Sequence, residues 1–399
     1  MAAALFVFVR VTPSFAQGEP PPNASRFRVR IGPLTIDPTV SLANLGIDQN
    51  VFNEPVDQDP KRDFTFTVVP QADWRLRIAR MLVTGIVREE LVWYQKYAGE
   101  RAANTTYNLG WQMPLNRLSF KLNATHASVR DRPGFEIDQR SQRTETGYDG
   151  SVEVRVMPKT FVGVTVGRKR IDFDKAVVFL DSNLQYELNR ATTSAAVSLR
   201  YKLTPITSVS LAATRTEDRF EFSTLRDASL SAVTASIVFD PFGIIRGTAT
   251  VGYTDFEPVT PELSNFKGAT AAVDLSYRLL GNTRVGFAAI RDVEYSYEIN
   301  QSYYVQTGFS GSIARGVYGP FDVLARVGVQ RLAYRDRVGA GVDVRNRVDR
   351  IRSVGGGIGY HLGKGLRLGL NIDKTNRVSD VAHRQYEGLR FGAAVTYGF

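Results

Sequence analysis

From about Ile36 to its end, the chain repeats one pattern. Ten to sixteen residues alternate between apolar and polar, a tight turn follows, a second such stretch returns, and a longer polar connection comes next. A period of two puts successive side chains on opposite faces of an extended strand, so each stretch offers one face to apolar surroundings and the other to water. In the last stretch Leu389, Phe391, Ala393, Val395, Tyr397 and Phe399 oppose Arg390, Gly392, Ala394, Thr396 and Gly398. Likewise Leu366, Leu368, Leu370 and Ile372 oppose Arg367, Gly369, Asn371 and Asp373, and Val323, Ala325, Val327 and Val329 oppose Arg326 and Gln330.

Tight turns are legible at Pro114-Leu115-Asn116, Met157-Pro158-Lys159, Thr204-Pro205-Ile206, Asp240-Pro241-Phe242-Gly243, Gly281-Asn282, Gly319-Pro320 and Gly363-Lys364-Gly365, with a less clear one near Ala79. Their Pro, Gly and Asn supply the fixed or positive φ that a hairpin reversal needs. Longer connections fall near 48–62, 97–104, 131–142, 174–188, 222–227, 257–265, 298–302, 336–346 and 377–385. Eighteen strands result, near 36–47, 63–78, 80–96, 105–114, 117–130, 143–156, 160–173, 189–203, 207–221, 228–240, 244–256, 266–280, 283–297, 303–318, 321–335, 347–362, 365–376 and 386–398. Sixteen is the alternative, because the first strand carries Pro38 and the turn between Pro70 and Met81 is indistinct.

Short turns on one side and longer loops on the other are the asymmetry of an all-β, transmembrane, antiparallel up-and-down β-barrel with periplasmic turns and extracellular loops. A soluble sandwich alternates too, but it does not usually string so many long strands through one chain. The composition is 43% hydrophobic and 23% charged, and no stretch is apolar enough for a spanning helix; a barrel hides in this way because half of each strand faces the lumen.

Ala2 to Val9 followed by Ser14-Phe15-Ala16 reads as an export signal cleaved after Ala16. The domains are then a signal peptide at 1–16, a periplasmic extension at 17–33 that includes the stiff Glu19-Pro20-Pro21-Pro22-Asn23, and an outer-membrane barrel at 34–399. The chain has no cysteine, which excludes disulfides, thiolate catalysis and Cys-ligated metal. The net charge of +10 is spread along the whole length, without the compact basic and aromatic patch of a nucleic-acid binder.

The opening strand and loop, Leu34-Thr35-Ile36-Asp37-Pro38 through Gly46-Ile47-Asp48-Gln49-Asn50-Val51-Phe52-Asn53, resembles the start of the putative β-barrel porin 2 family of bacterial outer-membrane proteins, and with the repeated hairpins and terminal aromatic the resemblance covers nearly the whole mature chain. It implies a porin-like role and insertion by the barrel-assembly machinery, for which Tyr397 and Phe399 would be the signal. It supplies no catalytic residues, and relatives beside exopolysaccharide systems suggest a second role in polysaccharide export or surface assembly.

Barrels of this size leave an aqueous channel unless something plugs it. No plug domain is legible and each loop is too short to fill a wide lumen, so passive passage of small hydrophilic solutes is expected. The luminal charges that would set selectivity are Arg88, Glu90, Lys121, Glu153, Arg155, Arg168, Arg200, Asp274, Arg278, Arg326, Arg367 and Arg390. Cations predominate, which predicts a mild anion preference; the alternative is that these charges pair across the wall. The connection 174–188 is unusually apolar and either folds into the lumen as a constriction, covers a neighbouring loop, or extends its hairpin above the membrane. Asp57, Asp59 and Asp63 lack a calcium-loop spacing. His126, His361 and His383 show no partner for a hydrolytic site, so neither enzyme activity nor a cofactor is expected. Expected partners are outer-membrane lipid and lipopolysaccharide, the assembly machinery, small solutes and, through a flat apolar face, a second copy of the chain.

Overall fold

The computed structural model describes residues 29–240, 243–363 and 365–397; the expected signal segment and Phe399 lie outside the described residues. The elements in chain order are β1 (Val29–Ile31), β2 (Leu34–Asp48), β3 (Asp63–Ile78), β4 (Met81–Tyr94), β5 (Ala102–Pro114), β6 (Leu118–Asp131), β7 (Ser141–Met157), β8 (Thr160–Phe173), β9 (Val178–Phe179), β10 (Ser182–Asn183), the single-turn α1 (Leu184–Leu188), β11 (Arg190–Thr204), β12 (Thr207–Phe220), β13 (Ala228–Phe239), β14 (Ile245–Pro258), β15 (Phe266–Leu279), β16 (Thr283–Tyr295), β17 (Tyr303–Tyr318), β18 (Phe321–Arg335), β19 (Val348–Leu362), β20 (Leu366–Val378) and β21 (Tyr386–Tyr397). Eighteen of these, β2 to β8 and β11 to β21, form one closed antiparallel barrel in which each strand pairs with its sequence neighbours. β1 hairpins onto the start of β2, and β9 with β10 is a small ribbon inside one loop.

The strand number is eighteen rather than sixteen because the indistinct turn is real: β3 pairs with β4 down to Ile78 opposite Met81, and Ala79 takes a φ of 49°. Pro38 sits within β2 opposite Ala72 without interrupting the ladder. The barrel closes where β2 pairs with β21, from Val40 opposite Tyr397 to Asp48 opposite Arg390. A bulge interrupts this seam between Leu42 and Leu45, with Asn44 at a φ of 54°. It shifts the alternation by one residue, so Val40 and Ile47 both face outward while Ala43 is buried inside.

Directly paired residues share a face, so the exposed apolar side chains fix inside and outside around the ring. Val162, Val164 and Val166 on β8, Val323, Val327 and Val329 on β18, and Leu368, Leu370 and Ile372 on β20 are all exposed and outward. The wall itself therefore has no apolar core. The buried hydrophobic clusters gather instead at the loop-side ends of the strands.

One hairpin leaves the wall. β15 stays paired with β14 up to Phe266, and β16 with β17 up to Tyr295 opposite Tyr303, but the ladder between β15 and β16 stops at Ala271 opposite Arg291. Beyond that point the β16–β17 tip bends inward. Tyr295 reaches Phe220 and Phe256, both on inward positions, with ring centroids 4.8 and 6.0 Å away, and its Oη donates to Asp218 at 2.9 Å. Arg291 bridges the split by donating to the Ala269 carbonyl at 3.0 Å and to Thr307 Oγ1 at 2.8 Å. A backbone acceptor freed by the lost ladder is thereby satisfied by a side chain.

Candidate functional site: the lumen and its loop-side mouth

The lumen is lined by ion pairs that cross from strand to strand. Asp322 of β18 accepts from Arg367 of β20 at 2.6 and 2.8 Å and also contacts His361 Nε2 at 2.7 Å. Arg326 donates to Asp373 at 2.7 and 3.0 Å. Between these strands lies β19, whose inward positions are Gly355, Gly357 and Gly359. A Cβ at Gly355 would collide with Asp373, and one at Gly359 with Arg367 and Asp322. The glycine run that reads in sequence as a thin patch of strand is therefore the floor over which two ion pairs span. On the other side of the ring Glu153 accepts from Arg200 at 2.5 and 2.8 Å across β8, where Gly163 occupies the intervening inward position.

The mouth is occupied by loops. The connection 132–140, between β6 and β7, reaches a strand six to seven places away around the ring: Arg377 of β20 donates to the Phe135 and Glu136 carbonyls at 3.0 and 3.2 Å and to Asp138 at 2.9 Å. Arg377 also pairs with Asp349, and both side chains are wholly buried. Arg384, from the loop after β20, adds a contact to Asp138 at 3.1 Å and donates to the Glu136 carbonyl. The Glu136 carboxylate in turn accepts from Ser296 Oγ at 2.6 Å and the Tyr297 amide at 3.2 Å, at the tip of the inward-bent hairpin. Burial holds the Glu136 carboxyl above the usual carboxylate range, against the opposing pull of Ser296, Arg347 and Arg384. Arg226, buried in the loop after β12, donates to the carbonyls of Ser296, Tyr297 and Ser302 and to Glu187 Oε2 at 2.8 Å.

Apolar packing backs these polar locks. Val177, Phe179, Leu184 and Leu188 of the connection 174–188 are buried with Ile137, Ile171, Phe173 and Tyr297, and Phe179 meets Tyr297 edge-on at 4.9 Å. Asn183 caps α1 by accepting from the Gln185 and Tyr186 amides. Of the three readings of this segment, packing against a neighbouring loop over the lumen is what the structure displays. Each loop is short, as expected, but five of them interlock at the mouth because the β16–β17 tip bends in to meet them.

Among the sequence-derived candidates, Arg88 and Glu90 share the inner face of β4, with Nη2 and Oε2 3.7 Å apart. Lys121, Glu153, Arg155, Arg200, Asp274 and Arg278 also take inward positions. Arg326, Arg367 and Arg390 are inward and paired, Arg390 with Asp48. Arg168 is corrected: it lies opposite Tyr148 in register with Val162, Val164 and Val166, so it faces outward, and its inward neighbour Lys169 pairs with Glu145 at 2.7 Å. Tyr397 is outward and exposed. His361, read as having no partner, has one in Asp322; His126 lies outward, stacked on Tyr107 at 6.2 Å. Asp63 accepts from the Lys96 and Tyr97 amides, and among the described residues no three His, Asp or Glu side chains gather as a metal ligand set.

Sequence reasoning missed Glu136, Asp138, Arg226, Asp349, Arg377 and Arg384. Parity does place Asp349 and Arg377 on inward positions. Charges in loops, however, read as solvated, and nothing local marks them as buried.

No curated protein matches this chain. Among solved structures it is similar to a BenF-like porin from Pseudomonas fluorescens Pf-5, at 11% identity and a TM-score of 0.50, covering 91% of this chain and 98% of that one. It is also similar to Pseudomonas aeruginosa OccK9 (OpdG), at 13% identity and a TM-score of 0.47, covering 91% and 97%. At these identities the likeness concerns the fold. The sequence profile named "Putative beta-barrel porin 2" matches residues 28–399, nearly everything the eighteen-stranded wall and its loops comprise. The chain therefore belongs to the putative β-barrel porin 2 family and is an outer-membrane β-barrel.

Proposed function

We propose that the protein is a non-enzymatic porin, reached by signal-directed export, that passes small hydrophilic solutes with a mild preference for anions. The observation that carries the preference is an uneven patch on the turn side of the lumen. Lys121, Arg155, Arg200 and Lys202 face inward there, and Glu153 is the acid among them. Most other luminal charges noted above stand in pairs, which cancel at a distance and stiffen the wall. Selectivity then rests on the excess cations, whose field is focused by low-dielectric walls. The aromatic face of Phe161, with Arg200 at 4.1 Å and Lys202 at 5.2 Å, holds two of them in place.

The test is single-channel recording of the folded chain in planar bilayers across a salt gradient. An anion-selective reversal potential is expected, and the double variant K121Q/K202Q should move it toward zero. A cation-selective wild-type channel would refute the preference. The interlocked mouth favours a second reading, a gated barrel in surface-polysaccharide export. Silence from folded wild type, relieved by opening the mouth, would support that reading over the open porin.

A further inference from the structure

The outward face of β18 runs Phe321, Val323, Ala325, Val327, Val329 and then Arg331, and that of β19 runs Leu362, Tyr360, Ile358, Gly356, Val354 and then Arg352 and Arg350. Arg331 and Arg350 are direct cross-strand partners, and Arg352 lies opposite Val329. All three are exposed, and among the described residues none is paired with a carboxylate. Two other outward charges nearby are engaged: Lys374 with Glu387 at 3.1 Å, and Arg291 with Ala269 and Thr307.

Height places the cluster. Ten residues separate Phe321 from Arg331 and Leu362 from Arg352. At about 3.4 Å per residue and a tilt of about 40°, that is roughly 26 Å along the membrane normal, the thickness of an outer-membrane apolar band. The turn-side rim of the same strands carries Phe321 and Tyr360 in edge contact at 5.0 Å, as an interfacial girdle should. The arginines therefore stand at the opposite rim, where acyl chains end and headgroups begin. Like charges directly opposite on neighbouring strands repel and are maintained at a cost unless an anion lies between them. Guanidinium forks suit the paired oxygens of a phosphate.

We propose that Arg331, Arg350 and Arg352 bind the phosphates of a phosphorylated, multiply acylated lipid of the outer leaflet, whose chains lie on the valine and isoleucine face below. The site commits to a lipid rather than free phosphate because charge and apolar face are continuous on the same two strands. It does not depend on what the channel conducts, only on the loops facing away from the periplasm.

The test uses the full folded chain in detergent and native mass spectrometry with diphosphoryl lipid A, monophosphoryl lipid A and a phosphate-free acylated disaccharide. Wild type should bind them in that order, and R331Q/R350Q/R352Q should lose roughly tenfold or more of its lipid A affinity. The outward control R215Q/R219Q on β12 should bind as wild type does. Heat-modifiable migration reports folding of each variant, and the lipid series on wild type needs no variant. Equal wild-type binding of the phosphorylated and phosphate-free lipids would overturn the proposal, as would a folded triple variant with unchanged affinity. Displacement of lipid A by millimolar inorganic phosphate would overturn the lipid assignment and leave a simple anion site.

Discussion

Arg377 holds one end of the mouth from a single inward position on β20, reaching Asp349, Asp138 and two carbonyls of the crossing loop. Taking away one partner of a buried pair leaves the other charge uncompensated, at a cost of about 3–5 kcal/mol. R377A is expected to lose about 3 kcal/mol in urea unfolding of the refolded barrel, the low end because loop water can enter, and to expose 132–140 to protease. Glu136 behaves in the opposite sense. Its folded carboxyl keeps a proton above the ordinary value of 4.5, so the folded state binds more protons than the unfolded one just above that pH. Stability from this group is therefore full at acid pH and falls as pH rises through the folded pKa. Protease cutting within 132–140 should increase from about pH 4 to about pH 8 in wild type. E136Q, which keeps the shape and stays neutral, should flatten that profile; an unchanged slope would assign it to other groups.

At the scale of elements, the strand pattern was legible nearly residue by residue, since alternation and turn chemistry are local. The expected 63–78, 160–173, 303–318 and 321–335 coincide with β3, β8, β17 and β18. The inward bend of β16 and β17 was not read, although the unbroken run Tyr303-Tyr304-Val305 departs from alternation there; with Gln306 all four are buried because both faces have left the wall. The bulge in the closing seam was equally hidden. There the backbones approach so closely that a Cβ at Gly46 would fall onto the Phe391 carbonyl. G46A is expected to cost about 1–3 kcal/mol by overpacking, seen as less heat-modifiable barrel after refolding. A variant that folds with wild-type yield and urea midpoint would show that the seam has slack.

For the whole molecule, closing the sheet brings loops from opposite sides of the ring within reach of one another. Replacing 133–139 by two glycines removes Glu136 and Asp138, and it should raise single-channel conductance several-fold while the barrel stays folded, since the wall hydrogen bonds are untouched. Unchanged conductance would mean that the loops crown the mouth without narrowing it. By itself the sequence determined the faces, the membrane setting and a strand number of eighteen with sixteen as the alternative, because these follow from a two-residue period and from turn residues acting over a few positions; the turn at Ala79 decided for eighteen only in the structure. It also placed eleven of the twelve luminal candidates on the inner face and misplaced Arg168, which opens a run of three basic residues, Arg168-Lys169-Arg170, and continues the parity of Val162, Val164 and Val166 on the outer face. Which charges pair, which loops meet and which arginines are buried were decided only by the tertiary structure. The partners lie two strands over, as with Arg326 and Asp373, or six to seven strands around the ring, as with Arg377 and Asp138, and no local pattern records a contact that ring closure alone creates.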